Sequence, residues 1–90
     1  MAEIIKVIST EVAVNSTPST VSSASLVRII NTSNSVNALI THKDASNNTI
    51  GTLTLPFAGG DESVIYLMKE PTDTVESNSA VVFGTSVGFY

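Results

Sequence analysis

The amino-acid sequence predicts an all-β protein, a small antiparallel β-sandwich of about six to eight short strands with no substantial helix. Three observations lead there. Apolar and polar residues alternate in short runs, as in "GTLTLP" at 51–56, which puts Leu53 and Leu55 on one face and Thr52 and Thr54 on the other. Val, Ile, Thr and Ser fill these runs, whereas Ala, Leu, Glu, Lys and Arg never cluster as a helix would want. Turn-forming residues break the chain roughly every 10–12 residues, which leaves no room for crossover helices and makes most neighbouring strands antiparallel.

Taken in order, "EIIKVIS" (3–9) and "EVAVN" (11–15) read as one long strand with a bend or bulge at Ser9-Thr10. "STPSTVSS" (16–23) is a connector punctuated by Pro18. "SLVRIINTS" (25–33) is the strongest apolar run, and "VNALITHKD" (36–44) follows a loop short enough for a hairpin. "ASNN" (45–48) turns the chain with residues that tolerate positive φ, and "TIGTLTLPF" (49–57) returns it. "AGGDE" (58–62) is a third turn before "SVIYLMKE" (63–70). In "PTD" (71–73) the proline suits the second position of a turn and Asp73 can bond nearby backbone. "TVES" is a short strand or turn, and "AVVFGTSVGFY" (80–90) is the last strand.

The single domain 1–90 is therefore expected as a jelly-roll or immunoglobulin-like sandwich, two sheets burying the apolar face that one sheet would leave bare, with a partly closed barrel as the alternative that needs the same alternation. The alternation assigns the core to Ile5, Val7, Val12, Val14, Val27, Ile29, Leu39, Leu53, Leu55, Ile65, Leu67, Val82 and Phe89. In "LVRII" and "VIYLM" both alternating sets are apolar, so one set faces the core and the other is expected to face a neighbour.

Charge is scarce. Only 13% of the residues are charged, against about 25% in an average domain, while 42% are hydrophobic and the net charge is −4. The four basic residues, Lys6, Arg28, Lys43 and Lys69, are scattered singly, which excludes a phosphate-neutralising patch or a polybasic membrane anchor. No run approaches the roughly 20 apolar residues of a membrane helix, and the amino-terminal residues lack the pattern of a secretory signal, so synthesis in a cytoplasm is expected. With no cysteine there is neither a disulfide nor a thiolate metal site. A small domain with so little charge is poorly suited to life as a free monomer, and part of its surface is expected to be covered by other protein.

No constellation carries chemistry. His42, the sole histidine, stands before a turn next to Lys43-Asp44 and reads as a solvated side chain. "GGDE" (59–62) lacks the strand-to-helix setting and the Lys-Ser or Lys-Thr of a phosphate loop. Asp44, Asn47 and Asn48 do not match the spaced ligands of a calcium loop. The carboxylates Asp61, Glu62, Glu70, Asp73 and Glu76 lie near turns, where solvation is the default, and the serines have no nucleophile elbow. Catalytic, cofactor and metal residues are assigned to none. The residues singled out are interface candidates instead: Ile4, Ile5 and Val7 in a β-prone amino-terminal arm (1–10), Phe57 at a loop, and Tyr66, Phe89 and Tyr90 as aromatic anchors.

The phrases "VRIINTS" (27–33), "GTLTL" (51–55), "ESVI" (62–65) and "KEPTDT" (69–74), spread over nearly the full length, resemble those of small β-sandwich virion proteins of tailed bacteriophages, notably phages of marine bacteria and cyanobacteria. The resemblance implies a virion component without catalytic residues. A capsid decoration or cement protein contacting the major capsid protein, and associating with its own copies, is the expectation it raises. A tail, neck or fibre-associated ring or trimer is the alternative within the class. A carbohydrate- or host-surface-binding module, with Phe57, Tyr66 and Tyr90 as its only platforms, is the alternative outside it.

Overall fold

A computed structural model of the chain describes residues 5–57, 63–79 and 81–89, with Ile5 and Phe89 described by their backbone alone. It is all-β, with strands β1 (Ile5–Val7), β2 (Val12–Ala13), β3 (Leu26–Asn31), β4 (Ala38–Lys43), β5 (Thr49–Leu55), β6 (Val64–Met68), β7 (Thr74–Ser77) and β8 (Val82–Phe89), and no helix among the described residues. The turn expected at 58–62 lies outside the described residues.

The larger sheet runs β1-β8-β3-β6, with β2 also on β8, and the smaller runs β5-β4-β7. β1 pairs with 87–89 and β2 with 83–84, so together they make one edge strand interrupted at 8–11, as the Ser9-Thr10 break suggested. The connector then crosses to the smaller sheet. Ser19 and Val75 exchange both backbone hydrogen bonds, at 3.0 and 2.9 Å, and the Ser77 N–H donates to the Asn15 carbonyl at 2.9 Å. Residues 15–19 thereby cover the outer edge of β7.

These pairings are nested. β4 pairs with β5, β3 with β6, the 15–19 segment with β7, and β1 with β8, all antiparallel. A single long hairpin rolled into two sheets has this pattern, and it is the jelly roll rather than the immunoglobulin order. Its tip is the 44–48 turn. Asp44 accepts the Ser46 and Asn48 N–H groups on Oδ1, each at 2.9 Å, and Asn47 takes a positive φ of 67°.

One face of each sheet is buried. Val27, Ile29, Val82 and Gly84 from the larger sheet meet Ala38, Ile40, Leu55 and Val75 from the smaller, with Val14, Val21 and Ala24 closing one side. The packing is close: a Cβ on Gly84 would stand 3.0 Å from Val14 Cγ2 and 3.3 Å from Val27 Cγ1. The shortest extent of the molecule is 19 Å, which suits two sheets about 10 Å apart with outward side chains. One polar side chain is fully buried at the end of β3. The Asn31 amide donates to the Val36 and Leu55 carbonyls, at 3.0 and 3.1 Å, and its oxygen accepts the Ser33 N–H at 3.0 Å.

Several expectations are corrected. The core assignments at Val14, Val27, Ile29, Leu55 and Val82 agree with the structure, and Val12, Leu53, Ile65 and Leu67 pack against that core half-buried. Leu39 does not: it is 43% exposed, because β4 places Ala38 and Ile40 inward. Val7 is 64% exposed, since it lies opposite Val87 on the outward side of an edge strand. The hairpin expected between β3 and β4 is a crossing between sheets, held by the Asn31 amide. Within 1–10, the described residues do not project as an arm: 5–7 lie on β8, and the Ile8 N–H donates to the Ser86 carbonyl at 2.8 Å.

The connector also holds a left-handed turn. Val21, Ser22 and Ser23 have φ of 52°, 59° and 56°, a region that costs non-glycine residues about 1–2 kcal/mol each. The turn aims Val21 fully into the core, and the Thr20 hydroxyl accepts the Ser23 N–H at 3.2 Å.

Two outcomes are expected in urea unfolding. Asn31→Leu strands the buried Leu55 carbonyl and the partly buried Val36 carbonyl and lowers stability by about 2–4 kcal/mol. Ser23→Gly removes strain at an exposed position and raises stability by about 0.5–1 kcal/mol after the entropy gained by the unfolded chain.

Candidate functional site

The apolar side chains that the fold leaves outside are the first candidates. Val7, Ile8, Val36, Leu39, Ile50, Met68 and Val81 are all exposed, Met68 to 81%. For Met68 the reason is local. β3 and β6 are aliphatic or Met except at Arg28, Asn31 and Tyr66, and the inward set (Val27, Ile29, Ile65, Leu67) leaves Leu26, Ile30, Val64 and Met68 on the outer face of the larger sheet.

The sequence-predicted interface residues divide. Val7 is outward and exposed on β1. Tyr66 is half-buried on the outer face, opposite Arg28. Phe57 is half-buried and follows Pro56, its N–H donating to Asn37 Oδ1 at 3.1 Å. Ile5 and Phe89 are backbone partners at the closing pair of the roll. Ile4 and Tyr90 lie outside the described residues.

Beside β1 the outer face holds an open depression of about 540 Å³ lined by Val7, Ser9, Thr10, Glu11, Arg28, Thr85 and Val87. Arg28 reaches this face from the middle of β3, between Tyr66 and Thr85 on the flanking strands, and forms no ion pair among the described residues. Thr85 Oγ1 is 3.5 Å from Glu11 Oε2, and the buried Ser9 hydroxyl has no hydrogen-bond partner among the described residues. A charged guanidinium, a carboxylate and several hydroxyls thus converge on one hollow. Only Val7 among them was singled out from the sequence. The others come together because the 8–11 interruption brings Ser9, Thr10 and Glu11 next to the paired strands.

The remaining charges hold the fold together. His42 is mostly buried rather than solvated: its Nε2 lies 3.0 Å from Asp73 Oδ2, and a carboxylate there selects the Nε2-protonated ring. Asp73 Oδ2 also accepts the Glu70 N–H at 3.1 Å, and the Asp73 N–H closes the Pro71 turn on the Glu70 carbonyl at 2.9 Å. Lys69, buried next to this turn, donates to the Glu70 carbonyl at 3.2 Å. Burial lowers its ammonium pKa, and the Asp73 charge partly opposes that. Lys43 pairs with Glu76 at 2.7 Å on the outer face of the smaller sheet. The Asp44 carboxyl is held below its ordinary range, chiefly by the Asn48 N–H. The described residues hold no cluster of three or more metal-ligating side chains, and no helix among them is long and apolar enough to cross a membrane.

No family model matches this chain, and no curated protein or solved structure is similar to it.

Two variants test the charge assignments. Asp73→Ala should lower stability by about 1–3 kcal/mol, since it strands the partly buried Glu70 N–H and His42 Nε2 and removes the counter-charge facing Lys69. Asp44→Ala should destabilise at neutral pH. A depressed folded pKa gives stability that is present above the unfolded value and lost as pH falls through the folded one. The difference from the parent chain should therefore vanish in acid, as read by urea titrations at stepped pH.

Proposed function

We propose that this protein is a structural component of a virion, a decoration or cement protein of a bacteriophage capsid that acts by burying its surface against neighbouring subunits. The observation that carries the reading is the exposed apolar set, Val7, Ile8, Val36, Leu39, Ile50, Met68 and Val81, on a chain with only 13% charged residues. Part of that small charge is engaged within the fold, at His42–Asp73 and Lys43–Glu76. Both faces of β3 and β6 offer apolar side chains, so area buried against a neighbour supplies affinity without any turnover. The jelly roll is an architecture of viral capsid domains, and also of lectins, so the fold accommodates the reading without selecting it.

The hollow around Arg28 supports a second reading, a saccharide-binding module. Hydroxyls of Ser9, Thr10 and Thr85 with the Arg28 and Glu11 side chains can bond a sugar's hydroxyl groups, and Tyr66 stands on the neighbouring strand. Glycan-array binding that disappears in Arg28→Ala would favour this reading over the structural one.

Co-sedimentation with purified particles tests the first reading. The chain is expected to bind, and Leu39→Lys or Met68→Lys to weaken binding by about 1–2 kcal/mol while leaving thermal unfolding unchanged. A chain that ignores every particle component at high concentration would overturn the reading.

A further inference from the structure

We propose that two copies of this chain associate through the outer edge of β5, pairing antiparallel about a twofold axis next to Leu53. The inference deepens the self-association named above and rests on it only to that extent.

The backbone parity of the smaller sheet sets which groups are on offer. The Leu39 N–H and carbonyl point towards β7, bonding Asn78 Oδ1 at 2.9 Å and the Asn78 N–H at 3.2 Å. Ala38, Ile40 and His42 therefore point towards β5, where their partners are Leu55, Leu53 and Gly51. The N–H and C=O groups of Thr52 and Thr54 are left aimed away from the sheet, and β5 is the terminal strand on that side.

Of the other three edges two are closed or broken, and the third, β6, is shorter at five residues and runs directly into Lys69 and Glu70. Residues 15–19 cover β7, and the β1–β2 edge is interrupted at 8–11. From Gly51 to Leu55, β5 has none of the usual protection among the described residues. It is seven residues long, carries no charge, contains no proline, and has its irregularity opposite the His42/Lys43 step, away from Thr52 and Thr54. Pro56, which has no N–H, ends the usable stretch.

A second copy fits this edge because the strand is complementary to itself. With the axis next to Leu53, Thr52 of each copy faces Thr54 of the other, and each such pair exchanges both of its N–H···O bonds. Leu53, half-exposed in one chain, faces its counterpart across the axis. On the outer face the threonines of the two strands stand opposite each other, continuing the Thr41–Thr52 pair inside each chain. No like charges meet along the paired strands, since β5 itself is uncharged, although each chain carries −4 overall. The two smaller sheets become one continuous sheet, and the contact is closed by its symmetry.

The chain has no cysteine, which makes the test direct. Light scattering after size exclusion, across a concentration series, is expected to show a monomer–dimer equilibrium. Leu53→Cys should form an interchain disulfide under mild oxidation, because facing residues that are not hydrogen-bonded approach within disulfide range. Thr54→Cys should not, being offset from its own copy. Thr54→Pro removes an outward N–H, and Thr52→Lys sets like charges across the axis; each should weaken the dimer at least about tenfold. Circular dichroism of both variants confirms the fold, and Thr52→Lys alone decides should the proline variant unfold. A strictly monomeric parent chain overturns the proposal. So does a dimer that survives Thr52→Lys unchanged or leaves Leu53→Cys unlinked, and these last results would leave association through another surface standing.

Discussion

The side chain of Asn31 sits where the two sheets must be joined, and the architecture depends on what it does there. β3 ends at this residue, the chain crosses to the other sheet, and β5 finishes at the same level. The amide bonds both the crossing and the end of β5, while the residue's own backbone N–H bonds Ser63 in front of β6. Its oxygen is also engaged, so the buried group is satisfied at both ends. A buried polar group of this kind excludes alternatives, because any other alignment of the sheets would leave it unpaired. The fully buried side chains around it are mainly Val, Ile, Leu and Ala, which supply area but little directional preference. Packing drives the sheets together, and the amide sets how they align.

The same economy explains the exterior. A domain of this size leaves much of its surface wet whatever its sequence. Here several of the few charged groups act within the fold: Asp44 organises the tip of the roll, Asp73 ties a turn to His42, and Glu76 pairs with Lys43. Little charge remains to solvate the outward faces, so threonine, serine and asparagine alternate with Val, Ile, Leu and Met there. Such a surface is compatible with water yet loses little on contact with another protein, since few ions need to shed their hydration.

The strands were legible because period-two alternation is a local property. "TIGTLTL" and "AVVFGTSV" needed no knowledge of the rest of the chain. Placing the strands was harder where choice depends on partners. Leu39 looked more core-like than Ala38, yet the register of β4 is set by Ile40 and by pairing to both β5 and β7. The 16–23 stretch reads as an idle link, although Val21 is fully buried and Ser19 bridges to β7. His42 seemed solvated because Asp73 is far away in sequence. The Arg28 hollow is assembled from three separate segments, and no spacing rule within one of them announces it.

The nesting of the strand pairs has a consequence for how the chain reaches this state. The 44–48 turn joins immediate neighbours, whereas the last pair, Ile5 with Phe89, must bring together almost the whole polypeptide. Loop-closure entropy makes the innermost hairpin the cheapest place to begin, and each earned pair shortens the loop that the next must close. Assembly from the inside outwards follows, with the amino-terminal strand docking late. Until it docks, β8 stays open on that side, and a newly made molecule is at its most adhesive just before it is finished.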